Sequence, residues 1–95
     1  MIANDAGMSM EIQSWGHSLA QAANLHLALA NERTRYFEAP MPREAFEFGM
    51  TNSILIERGR VVAPKGPGLG IEVDWDQLAT ADFYCIQIRD DNALT

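Results

Sequence analysis

Two titratable side chains stand at places in the sequence where regular elements are expected to end. Glu38 closes a run of β-type residues just before Pro40, so its carboxylate would project from the end of a strand. His17 lies in the turn between a predicted strand and a predicted helix, where barrel enzymes carry their working groups. For both side chains two interpretations remain open: a residue that handles a substrate, or a solvated group at the end of an element.

Two further features that could do chemistry are interpreted as structural. The glycine-rich segment 64–70 does not have the order of a phosphate-binding loop, because Lys65 precedes the glycines and no serine or threonine follows them. His26 falls on the apolar face of a predicted helix, nine residues after His17, so the two cannot form a zinc pair one helical turn apart. We expect a backbone carbonyl to satisfy His26. The close acidic pairs lack a third oxygen ligand at matching spacing, and no metal site is predicted.

The composition excludes several classes of partner. The chain has 95 residues, of which 47% are hydrophobic and 21% are charged, as expected of a globular protein. Seven lysines and arginines against thirteen aspartates and glutamates give a net charge of −6. This charge argues against binding to nucleic-acid phosphates and to anionic membranes.

The cysteine content and the first residues favour a cytoplasmic location. Cys85 is the single cysteine and cannot form an internal disulfide, which fits a reducing compartment. The first ten residues lack the basic start and the apolar run of a signal peptide. No stretch approaches the roughly 20 apolar residues that span a bilayer. We therefore expect a cytoplasmic protein without a membrane partner.

The first half of the chain predicts the elements that would position Glu38 and His17. An opening helix stops at Gly7, and two strands then flank a helix rich in alanine and leucine. Ser18 and Gln21 have the spacing of a capping box at the start of that helix. The three predicted elements are a strand at Met8–Gln13, a helix at Ser18–Ala30 and a strand at Arg35–Glu38. This strand–helix–strand order favours a parallel sheet.

The second half predicts shorter elements. Arg43–Met50 would make a short helical turn, and Gly59 would turn a hairpin between two β-branched runs. Asp74 and Gln77 would cap a further short helix. A last β-prone run covers Phe83–Ile88, before a polar tail.

Four groups of residues occur in an order that resembles a known family. They are Gly7–Gly16 (GMSMEIQSWG), Ala22–Leu27 (AANLHL), Tyr36–Glu38 (YFE) and Gly66–Val73 (GPGLGIEV). Their joint order and spacing resemble the C-terminal end of a mandelate racemase/muconate lactonizing enzyme-type member of the enolase superfamily. The resemblance runs from about residue 2 to about residue 79.

The resemblance implies an α/β fold, the C-terminal fragment of a (β/α)8 barrel followed by a capping-domain tail that contains the β-hairpin. The two predicted strands would be barrel strands 7 and 8, and the helix between them would be barrel helix 7. Residues 1–50 would form the end of the barrel, and residues 51–95 would form the C-terminal capping segment and tail.

The resemblance also implies a reaction, the removal of a proton α to a carboxylate of an acid sugar or a 2-hydroxy acid. In the family Mg²⁺ stabilises the enediolate, and its carboxylate ligands lie on earlier barrel strands, outside this chain. Glu38 matches the glutamate that hydrogen-bonds the substrate carboxylate. Gln13 stands where related sequences carry a histidine, and its amide can orient a substrate but cannot take a proton. His17, four residues on, would approach the site from the start of the helix.

Two functional hypotheses follow. The first is the C-terminal part of a Mg²⁺-dependent racemase- or acid-sugar-dehydratase-like enzyme, inactive as an isolated chain because the metal ligands and most of the pocket would be elsewhere. The second is a non-catalytic small α/β domain that binds a partner or itself. Unpaired strand edges and an apolar helix face would favour a homo-oligomer.

Overall fold

The computed structural model describes residues 2–82. The predicted strand at Phe83–Ile88, which includes Cys85, and the polar tail after it lie outside the described residues. In chain order the elements are α1 (Ile2–Asp5), α2 (Ser18–Leu29), a 3₁₀ helix (Arg43–Phe46), β1 (Ile56–Glu57), β2 (Arg60–Val61) and α3 (Trp75–Leu78). No helix in this part of the chain is long and apolar enough to cross a membrane.

The opening helix α1 ends at Gly7, as the sequence predicts. Gly7 has a φ of 70°, a left-handed conformation that a glycine adopts without steric cost. Its amide donates to the carbonyl oxygen of Asn4 at 3.0 Å, and the amide of Met8 donates to that of Ala3 at 2.9 Å. These two bonds form a Schellman ending and turn the chain out of the helix.

The predicted helix is confirmed as α2, but the predicted capping box is wrong. The N-cap is His17, whose Nδ1 accepts a hydrogen bond from the amide two residues further on at 3.3 Å. The hydroxyl of Ser18 instead donates to the carbonyl oxygen of Phe46 at 3.0 Å. The side-chain amide of Gln21 donates back to the carbonyl oxygen of Gly16 at 2.6 Å. A tertiary contact therefore takes Ser18 away from the capping pattern, and Gln21 bonds locally to Gly16 instead of to the residue that caps the helix.

The hydrophobic core lies under one face of α2. The buried positions of this helix are Ser18, Gln21, Ala22, Leu25 and Ala28. Ala22, Leu25 and Ile54 form the centre of the core cluster, and Phe37, Val61, Leu69 and Ile71 pack around it. His26, half-buried beside this cluster, hydrogen-bonds the carbonyl oxygen of Leu69 across 3.0 Å, which confirms the expected backbone partner. The cluster draws on residues from both sides of position 50, and the division of the chain there remains a prediction.

The two predicted barrel strands are not confirmed as strands. Neither residues 8–15 (the first segment) nor residues 34–40 (the second segment) have strand structure, and no hydrogen bond between backbone groups joins them. A strand is defined by main-chain pairing with a neighbour, which is missing here. The backbone amides at the start of the second segment bond to a side chain instead. The predicted parallel sheet is therefore absent from residues 2–82, where the regular sheet has two strands and is antiparallel.

The predicted hairpin is confirmed. The pairs of β1 and β2 are Ile56 with Val61 and Glu57 with Arg60. The turn residues Arg58 and Gly59 both have positive φ, 51° and 74°, which is the conformation of a two-residue type I′ turn. The amide of Val62 adds a bond to the carbonyl oxygen of Leu55 at 2.8 Å.

The predicted helical turn after Pro42 is a single turn of 3₁₀ helix held by an ion pair. A guanidinium nitrogen of Arg43 donates to the carboxylate of Glu47 at 2.9 Å and to the carbonyl oxygen of Ile54 at 2.8 Å. The hydroxyl of Ser53 donates to the same Glu47 oxygen at 2.7 Å. This network fixes the 3₁₀ helix against the chain that enters the hairpin.

The last described helix, α3, docks on Gly49. Asp74 caps α3 by accepting from the amide of Gln77 at 2.9 Å, as predicted. The side-chain oxygen of Gln77 accepts from the amide of Gly49 at 2.7 Å, and the amide of Asp74 donates to the Gly49 carbonyl oxygen at 2.8 Å. Gly49 is buried with a φ of 75°, and a Cβ atom at this position would overlap the side chain of Leu78.

Candidate functional site

The first segment alternates between exposed and covered side chains. Glu11, Gln13 and Trp15 are exposed, whereas Ile12 and Ser14 between them are covered. A period of two residues is that of an extended backbone, whose successive side chains point to opposite faces. Gln13 therefore lies on the outer face of this segment, and its backbone carbonyl oxygen accepts from the side-chain amide of Asn24 on α2 at 3.1 Å.

Residues 36–39 of the second segment show the same alternation. Phe37 packs against the core cluster, and its neighbours Tyr36 and Glu38 are exposed. The segment ends at Pro40, which is fully buried. Glu38 thus faces away from the core, on the same side of its segment as Tyr36. Within residues 2–82 no side chain hydrogen-bonds to the Glu38 carboxylate.

The carboxylate of Glu11 joins the two segments. One oxygen accepts from the amide of Tyr36 at 3.0 Å, and the other lies 3.4 Å from the amide of Arg35. The hydroxyl of Thr34 adds a bond to the carbonyl oxygen of Met10 at 2.7 Å. These side chains satisfy backbone groups that a strand partner would satisfy in a sheet.

The order of these contacts sets the relative direction of the segments. Thr34 bonds to residue 10 and Tyr36 to residue 11, so the numbers rise together and the two segments run parallel. Gln13 and Glu38 each follow the Glu11–Tyr36 contact by two residues, about 7 Å along an extended chain. The structure therefore carries Gln13 and Glu38 on the outer faces of neighbouring, parallel segments.

His17 lies at the start of α2, half-buried, with both ring nitrogens engaged. Nδ1 accepts from the amide of Leu19, and Nε2 lies 2.7 Å from the carbonyl oxygen of Phe48. A carbonyl oxygen only accepts, so Nε2 carries the proton and the ring is the neutral Nε2–H tautomer. His17 thus links the beginning of α2 to the loop after the 3₁₀ helix.

Sequence reasoning missed Glu11 and Trp15. Trp15 packs edge-on against Phe46, with ring centroids 5.9 Å apart and an interplanar angle of 83°, although 62% of its surface is exposed. The alternation of polar or aromatic residues at positions 11, 13 and 15 was a signal that could have placed all three on one face.

Residues 2–82 do not assemble a metal site. No group of three histidine, cysteine, aspartate or glutamate side chains lies close enough together in this part of the chain to hold a metal ion. The donor set of the described residues therefore does not fit a resident Mg²⁺ ion.

Comparisons with known proteins identify the family of this chain. Residues 1–77 match the family described as enolase C-terminal domain-like. The chain belongs to this family. A crystal structure of a protein from Pseudovibrio sp., described as a mandelate racemase/muconate lactonizing enzyme, is 42% identical, with a TM-score of 0.77 over 87% of this chain. No curated protein matches the sequence.

The enolase C-terminal domain-like chain is much shorter than that structure. It spans 22% of the Pseudovibrio protein, about a fifth of its length. The suspected resemblance to this part of the enolase superfamily is confirmed by the match to residues 1–77. The fold of this segment comprises α2, the two joined segments and the antiparallel hairpin.

Proposed function

We propose that this chain supplies the end of the catalytic barrel in an enzyme that removes a proton α to the carboxylate of an acid sugar or 2-hydroxy acid. The parent activity would be that of a racemase or a dehydratase. The observation that carries the proposal is the placement of Gln13 and Glu38 on the outer faces of two parallel segments that Glu11 holds together. The family match supports it.

Glu38 would contact the carboxylate of the substrate. An ionised carboxylate has hydrogen-bond acceptors alone. A hydrogen bond between Glu38 and the substrate carboxylate therefore requires a proton on one of the two groups. Glu38 is exposed and has no hydrogen-bonded partner among residues 2–82, so its oxygens are open to a ligand on the outer face. Its role is to bind and orient the substrate.

Gln13 and His17 would contribute without transferring a proton. The side-chain amide of Gln13 offers donors and an acceptor for a substrate hydroxyl or carboxylate, but it has no basic atom. His17 would act as a positioning residue, because its ring bonds on both sides to backbone groups. The base that takes the α proton would therefore belong to another part of the enzyme.

Mg²⁺, when bound in the family's enzymes, stabilises the negative charge that develops on the substrate carboxylate. The described residues do not fit this ion, so we assign none of them to it. We propose accordingly that the isolated chain is inactive and that the rest of the barrel completes the site.

A chimera tests this proposal. The stretch of the Pseudovibrio protein that aligns with this chain would be replaced by residues 1–82, and turnover of a panel of acid sugars and 2-hydroxy acids with Mg²⁺ would be measured. We expect turnover by the chimera, its loss in the Glu38→Ala chimera, and no turnover by the isolated chain. A Glu44→Ala chimera is the matched control, because Glu44 is exposed on the 3₁₀ helix. Equal activity of the two variants would reject the assigned role of Glu38, and turnover by the isolated chain would reject its inactivity.

A second candidate function is self-association without catalysis. Several large apolar side chains are strongly exposed, including Ile2 (87%), Tyr36 (76%) and Trp75 (74%). Contiguous apolar surface marks interaction sites in soluble proteins, and around Ile2 such a surface is shared with Ala3, Ala6, Met8 and Met10. Light scattering at tens of micromolar would report an oligomer if this surface associates and a monomer if it does not.

A further inference from the structure

The indole of Trp15 is strongly exposed, although the backbone around it is anchored on both sides. Ser14 before it is buried. The carbonyl oxygen of Gly16 after it accepts a hydrogen bond from the side-chain amide of Gln21 at 2.6 Å. Trp15 therefore projects from a fixed part of the chain, where its neighbours set the position of its side chain.

The ring of Phe46 holds the indole in one orientation. The two ring planes meet at 83°, the edge-to-face arrangement that aromatic pairs favour. Phe46 is half-buried at the end of the 3₁₀ helix, and its carbonyl oxygen accepts from the hydroxyl of Ser18 at 3.0 Å. This contact leaves most of the indole surface open. Since the ring is ordered before a ligand arrives, binding to it costs little further conformational entropy.

Trp15 lies beyond Gln13 and Glu38, toward the ends of the two parallel segments. The alternating exposure of residues 11–15 places the indole on the outer face that also carries Gln13. Gln13 and Glu38 are level with each other, so the indole stands about 7 Å farther along the chain direction. The residue level with Trp15 on the second segment is Pro40, which is fully buried. Within the two segments, a ligand that extends past Gln13 and Glu38 therefore meets the side chain of Trp15.

The direction in which a substrate extends follows from the barrel proposed above. Barrel enzymes admit substrates at the carboxyl ends of their strands, and the barrel interior is packed with side chains. The interior would lie on the Glu11 side of Gln13, and the open end would lie on the Trp15 side. A substrate whose carboxylate contacts Glu38 therefore extends its carbon chain toward Trp15.

We propose that Trp15 determines substrate length by packing its indole against the C–H groups of the carbon chain. This role rests on the proposed function, because Glu38 must hold the substrate carboxylate. The negative face of an aromatic ring attracts C–H groups, whose hydrogens carry partial positive charge. Carbon–carbon bonds measure about 1.5 Å, so an extended six-carbon acid spans about 6 Å and a three-carbon acid about 2.5 Å. The longer acid reaches the indole and the shorter one does not, so the site selects six-carbon acid sugars.

The chimera described above tests this role through the length of the substrate. Six-carbon aldonates and glycerate share the hydroxyls at C2 and C3, so both offer the same reacting carbons. We expect Trp15→Ala to lower the ratio of kcat/KM for the six-carbon acids to kcat/KM for glycerate about tenfold. Trp15→Phe should recover part of this ratio, whereas Trp15→Leu, which is apolar without an aromatic face, should not. Trp75→Ala, which removes another strongly exposed tryptophan from α3, should leave the ratio unchanged.

Fluorescence of the full chain decides where the chimera does not turn over both acids. Trp75→Phe leaves Trp15 as the single tryptophan of the chain. Titration with potassium gluconate should then quench or shift the emission of Trp15. Titration with potassium glycerate to the same concentration should leave the emission unchanged, because the shorter acid does not reach the indole.

The outcomes separate this role from the proposed function. A chimera without turnover of any acid in the panel rejects the proposed function, and a change in emission with gluconate alone still supports the contact with Trp15. An equal loss of kcat/KM at both lengths in Trp15→Ala, or no loss at all, overturns the selective role while turnover by the chimera stands. Where fluorescence decides, emission that the two acids change alike or leave unchanged overturns it as well.

Discussion

Replacing Gly49 by alanine should destabilise the fold far more than the same change at Gly59. Both glycines have a left-handed backbone, with φ of 75° and 74°. A Cβ atom at Gly59 would meet nothing within 4 Å, whereas one at Gly49 would overlap the side chain of Leu78. The pair thus separates the cost of backbone conformation from the cost of steric overlap.

The expected magnitudes follow from these two costs. An L-residue in the left-handed region costs about 1–2 kcal/mol, which both variants incur. The overlap with Leu78, a half-buried side chain of α3, adds up to about 1–3 kcal/mol, which falls on Gly49→Ala alone. A chain of this length has a free energy of unfolding of about 5–14 kcal/mol, so the Gly49 variant should lose a substantial part of it.

Urea denaturation monitored by tryptophan fluorescence measures both losses, since Trp75 lies in α3 beside the altered contact. Adding Leu78→Ala to each variant completes a double-mutant cycle. We expect Leu78→Ala to recover part of the stability in the Gly49→Ala background and none in the Gly59→Ala background. Equal midpoints for Gly49→Ala and Gly59→Ala would refute the packing of α3 on Gly49.

Three further changes probe the joined segments, the helix start and the hairpin. Glu11→Gln should speed hydrogen exchange at the amides of Arg35 and Tyr36 about fivefold, because each hydrogen bond contributes about 1 kcal/mol, and an unchanged rate would contradict the bridging role. His17→Ala removes the cap and the bond to the Phe48 carbonyl and should cost about 2 kcal/mol in thermal denaturation, whereas His17→Asn keeps a cap and should cost about 1 kcal/mol; equal losses would contradict the capping role. Arg58→Asn should raise the midpoint of urea denaturation, because asparagine tolerates the left-handed conformation better than arginine, and a lowered midpoint would count against the type I′ turn.

The elements that local chemistry determines could be predicted from the sequence. Gly7 ends α1, Asp74 caps α3 through Gln77, and Gly59 turns the hairpin. Each signal and its structural outcome lie within a few residues of one another, and among the described residues no distant group replaces these contacts.

The features that depend on distant parts of the chain could not be predicted. Ser18 has the local spacing of a cap, but a carbonyl oxygen 28 residues away takes its hydroxyl, and His17 caps the helix in its place. The strands predicted around Gln13 and Glu38 have the right residue types, but a strand also needs main-chain pairing, which no local pattern supplies.

The candidate site combines a local feature, which could be predicted from the sequence, with a long-range contact, which could not. The position of Glu38 after a β-type run and before Pro40 could be seen in the sequence, and its exposure agrees with the two-residue alternation. The bridge from Glu11 to the second segment spans 25 residues, so only the fold identifies it.

The two side chains at the start of α2 hold the end of the 3₁₀ helix and the loop after it through peptide oxygens alone. Ser18 and His17 bond to the carbonyls of residues 46 and 48, and every amino acid carries that group. Natural variants could therefore exchange Phe48 freely and still keep the loop anchored. Divergence should consequently be tolerated at position 48, while the serine and the histidine tolerate few replacements.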